Sequence, residues 1–318
     1  MYLLRLTSKS ERIGEAVTEM FFWTLAGSIC LLLGFVKQAL RGYGSLEMLH
    51  EQGGLGVVVG VLFLVGFGVK LPLWPCFSWL LRAHVEASVE FSILLSGVVV
   101  KFGALGLYRT FLLQSTPLCS YLVVACGTLA IVEAALRLLT QRDLKRIVAL
   151  TTVIEMNWVG VCIGLGGAVF DEVGAFLLVA HSLTTTGEFY SVESLYRRYG
   201  SRDAAVVSGV SFTTPLLYAC LFMTTLVTIG FPGSSLFVAK LLFLTALCQF
   251  SVGLCLFYTF WFVLVLPVIF LRVWVPVWFG QPRSAAPLVD LAGRDLALLG
   301  VSLLGGLLLG LYPALALA

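Results

Sequence analysis

Three lysines lie inside long apolar stretches of this chain, where charged residues are otherwise scarce. Lys70 ends the run GVLFLVGFGVK, Lys101 interrupts ILLSGVVVKFGALGL, and Lys240 interrupts SLFVAKLLFL. A charged side chain at the centre of a bilayer costs roughly 2.5–3.5 kcal/mol on insertion scales, so we expect each lysine to be compensated. One alternative is that the long side chain bends back to the membrane interface. The other is that a buried amine coupled to acids takes up and releases protons.

A histidine and two acids, Glu133 and Glu155, occur in similar surroundings. Glu155 lies within TTVIEMNWVG and His181 within LLVAHSLTTTG. Glu188 follows His181 by seven residues, so the two side chains share one face of a helix. A membrane histidine can also serve only as a hydrogen-bond donor between helices. A series of lysine, glutamate and histidine side chains across a bilayer is what a proton relay requires.

The composition indicates that these residues belong to a membrane protein. Hydrophobic residues make up 59% and charged residues 12% of the 318 residues, and the mean hydropathy is +1.01. Soluble domains carry roughly 25% charged residues. The apolar residues form blocks of about 20, the length that crosses a bilayer as a helix. We therefore predict an all-α polytopic membrane protein with about nine transmembrane helices. The predicted spans are 16–37, 54–74, 89–109, 117–139, 144–166, 173–195, 205–247, 250–275 and 292–315.

Two of these spans are predicted to be broken helices. A pair of prolines follows Lys70, and the chain continues through a more polar segment, which gives a broken helix at 54–86. The sequence Pro232-Gly233 interrupts the other, at 205–247, about two helical turns before Lys240. Transporters commonly place discontinuous helices at the site of transport. Each predicted break lies on a helix that carries a membrane lysine.

The remaining positive charges predict an orientation. Of the twenty lysines and arginines, fourteen fall on the side of the membrane that holds the N-terminus and three on the other. The positive-inside rule then places the N-terminus in the cytoplasm or the mitochondrial matrix.

Sequence motifs for nucleotides and redox centres are missing. The chain contains no GxGxxG or Walker loop that would bind a nucleotide, and no CxxC pair typical of iron–sulfur ligands. The eight cysteines mostly lie within apolar blocks, and we interpret them as small apolar side chains. We therefore predict that this chain binds no cofactor and no metal, and we expect no nucleic-acid partner.

Four segments carry a resemblance to a known family. The first is VKLPLWPCFSWLLRAHVEASVEFSILLSGVVVKFGALGLYR. It resembles the central stretch of the subunit 4 family of respiratory NADH:ubiquinone oxidoreductase (complex I), which reads KxPLxxxHxWLPxAHVEAP and then LLKLGxYGxxR. The others are TQRDLKRIVALTTVIEM, VAHSLTTTGEF and FPGSSLFVAKLLFL, which are similar to the family's RQxDLKxxIAYSSxxHM, AHGLTSSxLF and PPxxNLxGELxxL. The resemblance covers the chain from about residue 10 to its end, and the AHVEA and LKxG signals favour this subunit over its two antiporter-like siblings.

The resemblance implies an antiporter-like fold, which in the family has fourteen helices with two inverted five-helix repeats, each containing one broken helix. Within a single membrane domain, 1–318, residues 16–110 would be a remnant of the first repeat and 117–275 the second, followed by a C-terminal helix at 292–315. The first repeat would be incomplete, because Met1–Arg5 aligns with the end of the family's fifth helix.

The resemblance also implies roles for individual residues in a proton-translocation axis. Lys70 matches the broken-helix lysine, Lys101 the central lysine of the half-channels, and His181 the later histidine of the central polar axis. Lys240 occupies the position of the exit-side acid.

Two acids and several departures complete this picture. Glu86 matches a polar motif residue at a helix end, and Glu155 stands where the family has histidine. Lys240 stands where this subunit has glutamate, although the siblings use lysine there. The family's fifth helix carries the glutamate that pairs with the lysine at position 70, so a separate polypeptide is expected to supply the missing helices and this partner.

The implied function is that of a proton-translocating membrane-arm subunit of NADH:ubiquinone oxidoreductase. It would move protons from matrix to intermembrane space without a redox site of its own, since FMN and iron–sulfur clusters belong to other subunits. Expected partners are the other membrane-arm subunits, including the antiporter-like siblings, and membrane lipids. The expected location is the mitochondrial inner membrane with the N-terminus in the matrix, or alternatively a bacterial plasma membrane. Three other functions stay open: a structural scaffold that does not pump, a cation/proton antiporter subunit, and a membrane-bound hydrogenase subunit.

Overall fold

The computed structural model describes residues 12–40, 56–112, 116–282 and 288–317. Its regular elements within these ranges are α-helices with two π turns, and one isolated β-bridge joins two loops. The helices are α1 Ile13–Ala39, α2 Val57–Lys70, α3 Ser78–Glu86, α4 Val89–Leu94, α5 Val100–Leu112, α6 Pro117–Leu138, α7 Leu144–Leu165, α8 Ala168–Tyr199, α9 Val210–Thr213, α10 Pro215–Ile229, α11 Ser235–Phe250, α12 Val252–Thr259, α13 Leu266–Phe279, α14 Gly293–Leu311 and α15 Ala314–Leu317. The π turns, Leu95–Val99 and Phe260–Val265, join α4 to α5 and α12 to α13.

The predicted helical spans are confirmed. Seven continuous helical segments of the described chain are long and apolar enough to cross a membrane. The two remaining predicted spans are the broken helices, α2 with α3 and α10 with α11, each interrupted at the predicted prolines. The start of the second predicted span, residues 54–55, and the N-terminal segment Met1–Arg5 lie outside the described residues.

The largest boundary difference occurs before α9, where helix was predicted from residue 205. The Leu144 amide donates to the Arg202 carbonyl at 2.9 Å, and the Ala204 amide donates to the Arg142 carbonyl at 2.9 Å. These bonds engage the backbone in a bridge between loops, so it cannot enter a helix. Gly209, with φ of +70°, then turns the chain into α9.

The helices form two compact units. The first comprises residues 1–134 with 153–175, and the second comprises 135–152 with 176–318. The helices α6, α7 and α8 contribute residues to both units.

In the first unit, α1 packs against α2 through glycines. A Cβ atom added to Gly27 would lie 3.2 Å from the Gly66 carbonyl oxygen, so the two backbones approach closely only because both residues are small. The opposite face of α1 is apolar and exposed, with Phe22 at 63% and Leu32 at 62%. Apolar side chains on the outside and small residues on the inside are typical of a lipid-facing helix.

In the second unit, polar contacts fix the ends and crossings of helices. Asp290 accepts hydrogen bonds from the amides of Leu216 and Leu217 at 2.7 and 3.0 Å, and thereby satisfies the first turn of α10. The Ser302 hydroxyl on α14 donates to the Leu183 carbonyl on α8 at 2.7 Å. These contacts hold α8, α10 and α14 in register around the second break.

Two cysteines depart from the prediction that all eight are simple apolar side chains. Cys248 and Cys255 form a disulfide across the bend at Ser251, which separates α11 from α12 and brings the two Cα atoms to 5.1 Å. The other cysteines are free, as predicted.

Candidate proton-translocation site

The first break follows from the missing donor of Pro72. In a regular helix residue 72 would donate to the Gly68 carbonyl, but proline has no N–H. The Leu73 amide bonds to the Gly68 carbonyl instead, at 2.8 Å, which leaves the Val69 carbonyl without its regular partner. The indole Nε1 of Trp79 on α3 donates to that carbonyl at 3.1 Å. The broken helix is therefore closed by its own second half.

A side chain from α7 stabilises the same break. The amide nitrogen of Asn157, which is fully buried, donates to the Pro72 carbonyl at 3.0 Å and to the Val153 carbonyl at 2.7 Å. Asn157 was not among the residues predicted from the sequence. Its signal was an amide side chain within an apolar stretch, two residues after Glu155.

Lys70 is the last residue of α2 and is half-buried, and α5 packs directly against it. A Cβ atom added to Gly103 would lie 2.6 Å from the Leu71 amide nitrogen and 2.8 Å from the Lys70 carbonyl carbon. Only glycine allows this approach. The helix that follows Lys101 is thus held against the backbone that carries Lys70.

Lys101 follows the π turn between α4 and α5. The Val100 amide bonds five residues back to Leu95. The carbonyl of the intervening Ser96 accepts a hydrogen bond from Lys101 Nζ at 2.7 Å. π turns occur frequently at functional sites, because they redirect backbone carbonyls away from the regular helix. Lys101 is half-buried.

The two predicted acids of the first unit differ in burial. Glu155 on α7 is 3% exposed, and Glu86 at the end of α3 is half-buried. Glu155 therefore lies in the protein interior rather than in contact with lipid.

The second break has the same origin as the first. Pro232 cannot donate to the Thr228 carbonyl, and Gly230, with φ of +89°, ends α10 in the left-handed region. The Thr228 carbonyl accepts instead from Lys240 Nζ at 3.0 Å. A lysine on the second half of the broken helix thus replaces the backbone donor lost at the break.

Lys240 is buried, with 2% exposure. Its Nζ lies 4.3 Å from the ring centroid of Phe262, within the range of a cation–π contact. The alternative that Lys240 bends back to the membrane interface is therefore wrong. A backbone carbonyl and an aromatic face both stabilise a positive charge at this position.

Glu188 extends this site, although it was not among the site residues predicted from the sequence. Its carboxylate accepts a hydrogen bond from the Thr228 hydroxyl at 2.7 Å and a longer one from the Thr151 hydroxyl at 3.4 Å. Glu188 is 3% exposed. Its position seven residues after His181 on α8 was the available signal, because the two share one helix face.

His181 is buried at 3% exposure, two turns before Glu188 on α8. The structure thus places predicted residues in both units. The first unit contains Lys70, Lys101, Glu86 and Glu155, and the second contains His181 and Lys240. A continuous polar axis that joins the two sets stays a prediction.

Across the described ranges, no three side chains among histidine, cysteine, aspartate and glutamate are grouped as a metal ion would require.

The chain and its fold are similar to known proteins. The chain is similar to NADH-ubiquinone oxidoreductase chain 4 of Paramecium tetraurelia, with 30% identity over 324 residues that cover 97% of this chain and 66% of the relative. Its fold is similar to a chain of respiratory complex I from Thermus thermophilus with bound NADH, with a TM-score of 0.89, 23% identity, and coverage of 99% of this chain and 68% of that one. It is also similar to a chain of the Mrp complex from Dietzia, with a TM-score of 0.85, 20% identity, and coverage of 97% and 67%.

These likenesses confirm the predicted antiporter-like fold and the resemblance to subunit 4. The sequence profile of a family described as NADH:quinone oxidoreductase/Mrp antiporter, transmembrane, matches residues 1–276. The chain therefore belongs to the NADH:quinone oxidoreductase/Mrp antiporter transmembrane family.

Proposed function

We propose that this chain is a proton-translocating subunit of the membrane arm of an NADH:ubiquinone oxidoreductase. The observation that carries the proposal is the burial of Lys240. Its Nζ donates to the Thr228 carbonyl, which lacks a backbone donor because of Pro232. A charge so enclosed is costly, and a protein that holds an ionisable group in this way commonly uses it for transport.

The mechanism is electrostatic. Protons enter from the matrix side, load Lys101 through water and His181, and leave past Lys240 toward the intermembrane space. A change of charge at Lys70 shifts Lys101 between its protonated and neutral forms, while Glu86 and Glu155 couple to this axis. The energy comes from redox chemistry in other subunits and reaches this chain through its neighbours, which makes the pump allosteric.

The enzymatic reaction belongs to the whole complex. FMN and iron–sulfur clusters reside in other subunits, and this chain contributes transport without a redox site of its own. Its partners are the other membrane-arm subunits, including the antiporter-like siblings, together with membrane lipids.

One partner is expected at Lys70. Among the described residues no carboxylate lies within 4 Å of its amine. We propose that a separate polypeptide of the membrane arm supplies this acid. A structure of the assembled complex tests this directly. If no acid of another chain lies within about 4 Å of the Lys70 amine, the usual ion-pair distance, this partner is wrong.

The proposed setting is the mitochondrial inner membrane with the N-terminus in the matrix. The support is the excess of lysine and arginine on that side. A bacterial plasma membrane with the N-terminus in the cytoplasm is the alternative. The proposed internal organisation is a pair of inverted repeats, 16–110 and 117–275, each built around one broken helix.

The substitution Lys101→Ala tests the proposed function in the assembled complex. We expect pumping to be lost while assembly and NADH oxidation in the presence of an uncoupler persist. Arg109→Ala is the matched control, because Arg109 is an exposed cation on the same helix. Proton release per NADH is the measurement, and an unchanged ratio in Lys101→Ala would show that Lys101 is not the carrier.

A cation/proton antiporter is the second candidate, favoured by the similarity to the Mrp complex. Sodium-dependent proton movement in the absence of NADH oxidation would support it. If substitution of each of Lys70, Lys101 and Lys240 leaves proton release per NADH unchanged, the chain is instead a structural scaffold.

A further inference from the structure

We propose that Glu188 is the proton acceptor of Lys240, so that the two residues form one exchange unit in which Thr228 positions both groups. The proposal rests on the proposed transport function and adds to it a carrier that the family resemblance did not supply.

Thr228 contacts both ionisable groups. Its hydroxyl donates to the Glu188 carboxylate at 2.7 Å, and its carbonyl accepts from Lys240 Nζ at 3.0 Å. Because both contacts come from one residue next to the helix break, the acid and the amine are held at the same depth. The break therefore determines the geometry of the pair as well as that of the lysine.

The charges of the two groups are complementary. Glu188 and Lys240 are 3% and 2% exposed, so neither charge is solvated by bulk water. A buried cation and a buried anion in one enclosure stabilise each other, whereas removal of either leaves the other at high cost. The pair can also become neutral when one proton moves from the amine to the carboxylate. A proton carrier requires that both states, the ion pair and the neutral pair, be accessible.

A second hydroxyl suggests how the unit reaches water. Ser191 lies one turn after Glu188 on α8, on the same face, and is fully buried. Its Oγ atom has no hydrogen-bond partner among the described residues. Buried hydroxyls of this kind typically bind ordered water, so we place a hydrated exit beside Glu188.

The proposed step is a simple proton transfer. One N–H bond of the Lys240 ammonium breaks as one O–H bond forms on Glu188. The ammonium–carboxylate pair becomes a neutral amine and a carboxylic acid. The acid then releases its proton to the exit water, and the amine is protonated again from the central carrier.

The substitution Glu188→Gln in the assembled complex is the main test. Glutamine keeps the size and the hydrogen bond to Thr228 but cannot carry a proton. We expect proton release per NADH to fall to the level of Lys101→Ala, because the variant lacks the group that accepts the proton of Lys240. Glu193→Gln is the matched control, because Glu193 is a more exposed acid on the same helix, paired with Arg197. Normal pumping by Glu188→Gln overturns the proposal.

A double variant covers the case in which Glu188→Gln fails to assemble. The double substitution Glu188→Leu and Lys240→Leu removes both charges together, which buried pairs tolerate better than loss of one partner. We expect this variant to assemble and not to pump, and pumping at the normal ratio overturns the proposal. Comparison with Lys101→Ala separates a failure of the exchange unit from a failure of the proposed transport function. If Lys101→Ala stops pumping and Glu188→Gln does not, only the exchange unit is wrong. If neither affects pumping, the transport function itself is wrong.

The positioning role of Thr228 has its own test. Thr228→Val keeps the carbonyl and the shape but removes the hydroxyl, and we expect pumping to fall on the order of threefold to tenfold, the value of one hydrogen bond. Thr228→Ser should restore it. Thr225→Val is the matched control, because the Thr225 hydroxyl is equally buried but bonds only to the Leu221 carbonyl of its own helix. Equal loss in both valine variants would contradict the role.

Discussion

Lys101 and Lys240 solve the same problem in two different ways. Each amine donates to a backbone carbonyl at an irregularity of its helix, Ser96 at a π turn and Thr228 at a proline break. Lys101 is half-buried, whereas Lys240 is 2% exposed and shares Thr228 with Glu188. Lys101 therefore keeps some access to its surroundings, whereas the enclosed Lys240 shares a hydrogen-bonding residue with an acid. The difference predicts that Lys240 matters more for stability and Lys101 more for transport alone.

The largest effect is expected for Lys240→Met. It leaves Glu188 in the interior without the cation, and such a loss typically costs about 3–5 kcal/mol. Lys101→Met removes a less buried cation, so its effect on stability should be smaller. The thermal midpoint of the purified complex measures both. Equal losses of stability would break the distinction between the two lysines.

The next effect concerns the contact between α5 and the first break. Gly103→Ala forces a Cβ atom to within 2.6 Å of the Leu71 amide nitrogen, so the helix must shift, at a cost of about 1–3 kcal/mol. Gly97→Ala is the matched control, since a Cβ atom there meets nothing within 4 Å. We expect Gly103→Ala to lower both stability and pumping and Gly97→Ala to change neither. If both variants behave alike, the close approach of α5 to Lys70 does not contribute to stability or to pumping.

The third effect, similar in its cost to stability but without a loss of pumping, is expected for Trp79→Phe. Phenylalanine keeps most of the apolar volume but loses the indole donor to the Val69 carbonyl, which should cost about 1–3 kcal/mol for a buried unsatisfied carbonyl. Assembly and pumping should survive. A complete loss of assembly would show that the first break cannot form without this hydrogen bond.

Much of the fold could be predicted from the sequence, because membrane helices are recorded locally. Blocks of about 20 apolar residues gave the spans, and Pro72 and Pro232 gave the breaks, since a proline removes a helix donor wherever it lies. The π turn before Lys101 could not be predicted. The residues LSGVV have no feature that distinguishes them from ordinary helix.

The site could be predicted only in part. Lys240 was apparent as a charge among apolar residues, but the importance of Glu188 depends on Thr228, which lies 40 residues away on another helix. Such a contact depends on tertiary packing, and no local pattern encodes it. The sequence shows that His181 and Glu188 lie on the same helix face. It does not show that Thr228 contacts both Glu188 and Lys240.

The most direct measurement of the central claim is the proton ratio of Lys101→Arg in the assembled complex. Arginine keeps the positive charge and can still donate to the Ser96 carbonyl, but it does not release its proton. Proton release per NADH should fall to the level of Lys101→Ala while uncoupled NADH oxidation continues. A normal ratio in Lys101→Arg would show that the charge at this position is structural and that protons do not pass through it.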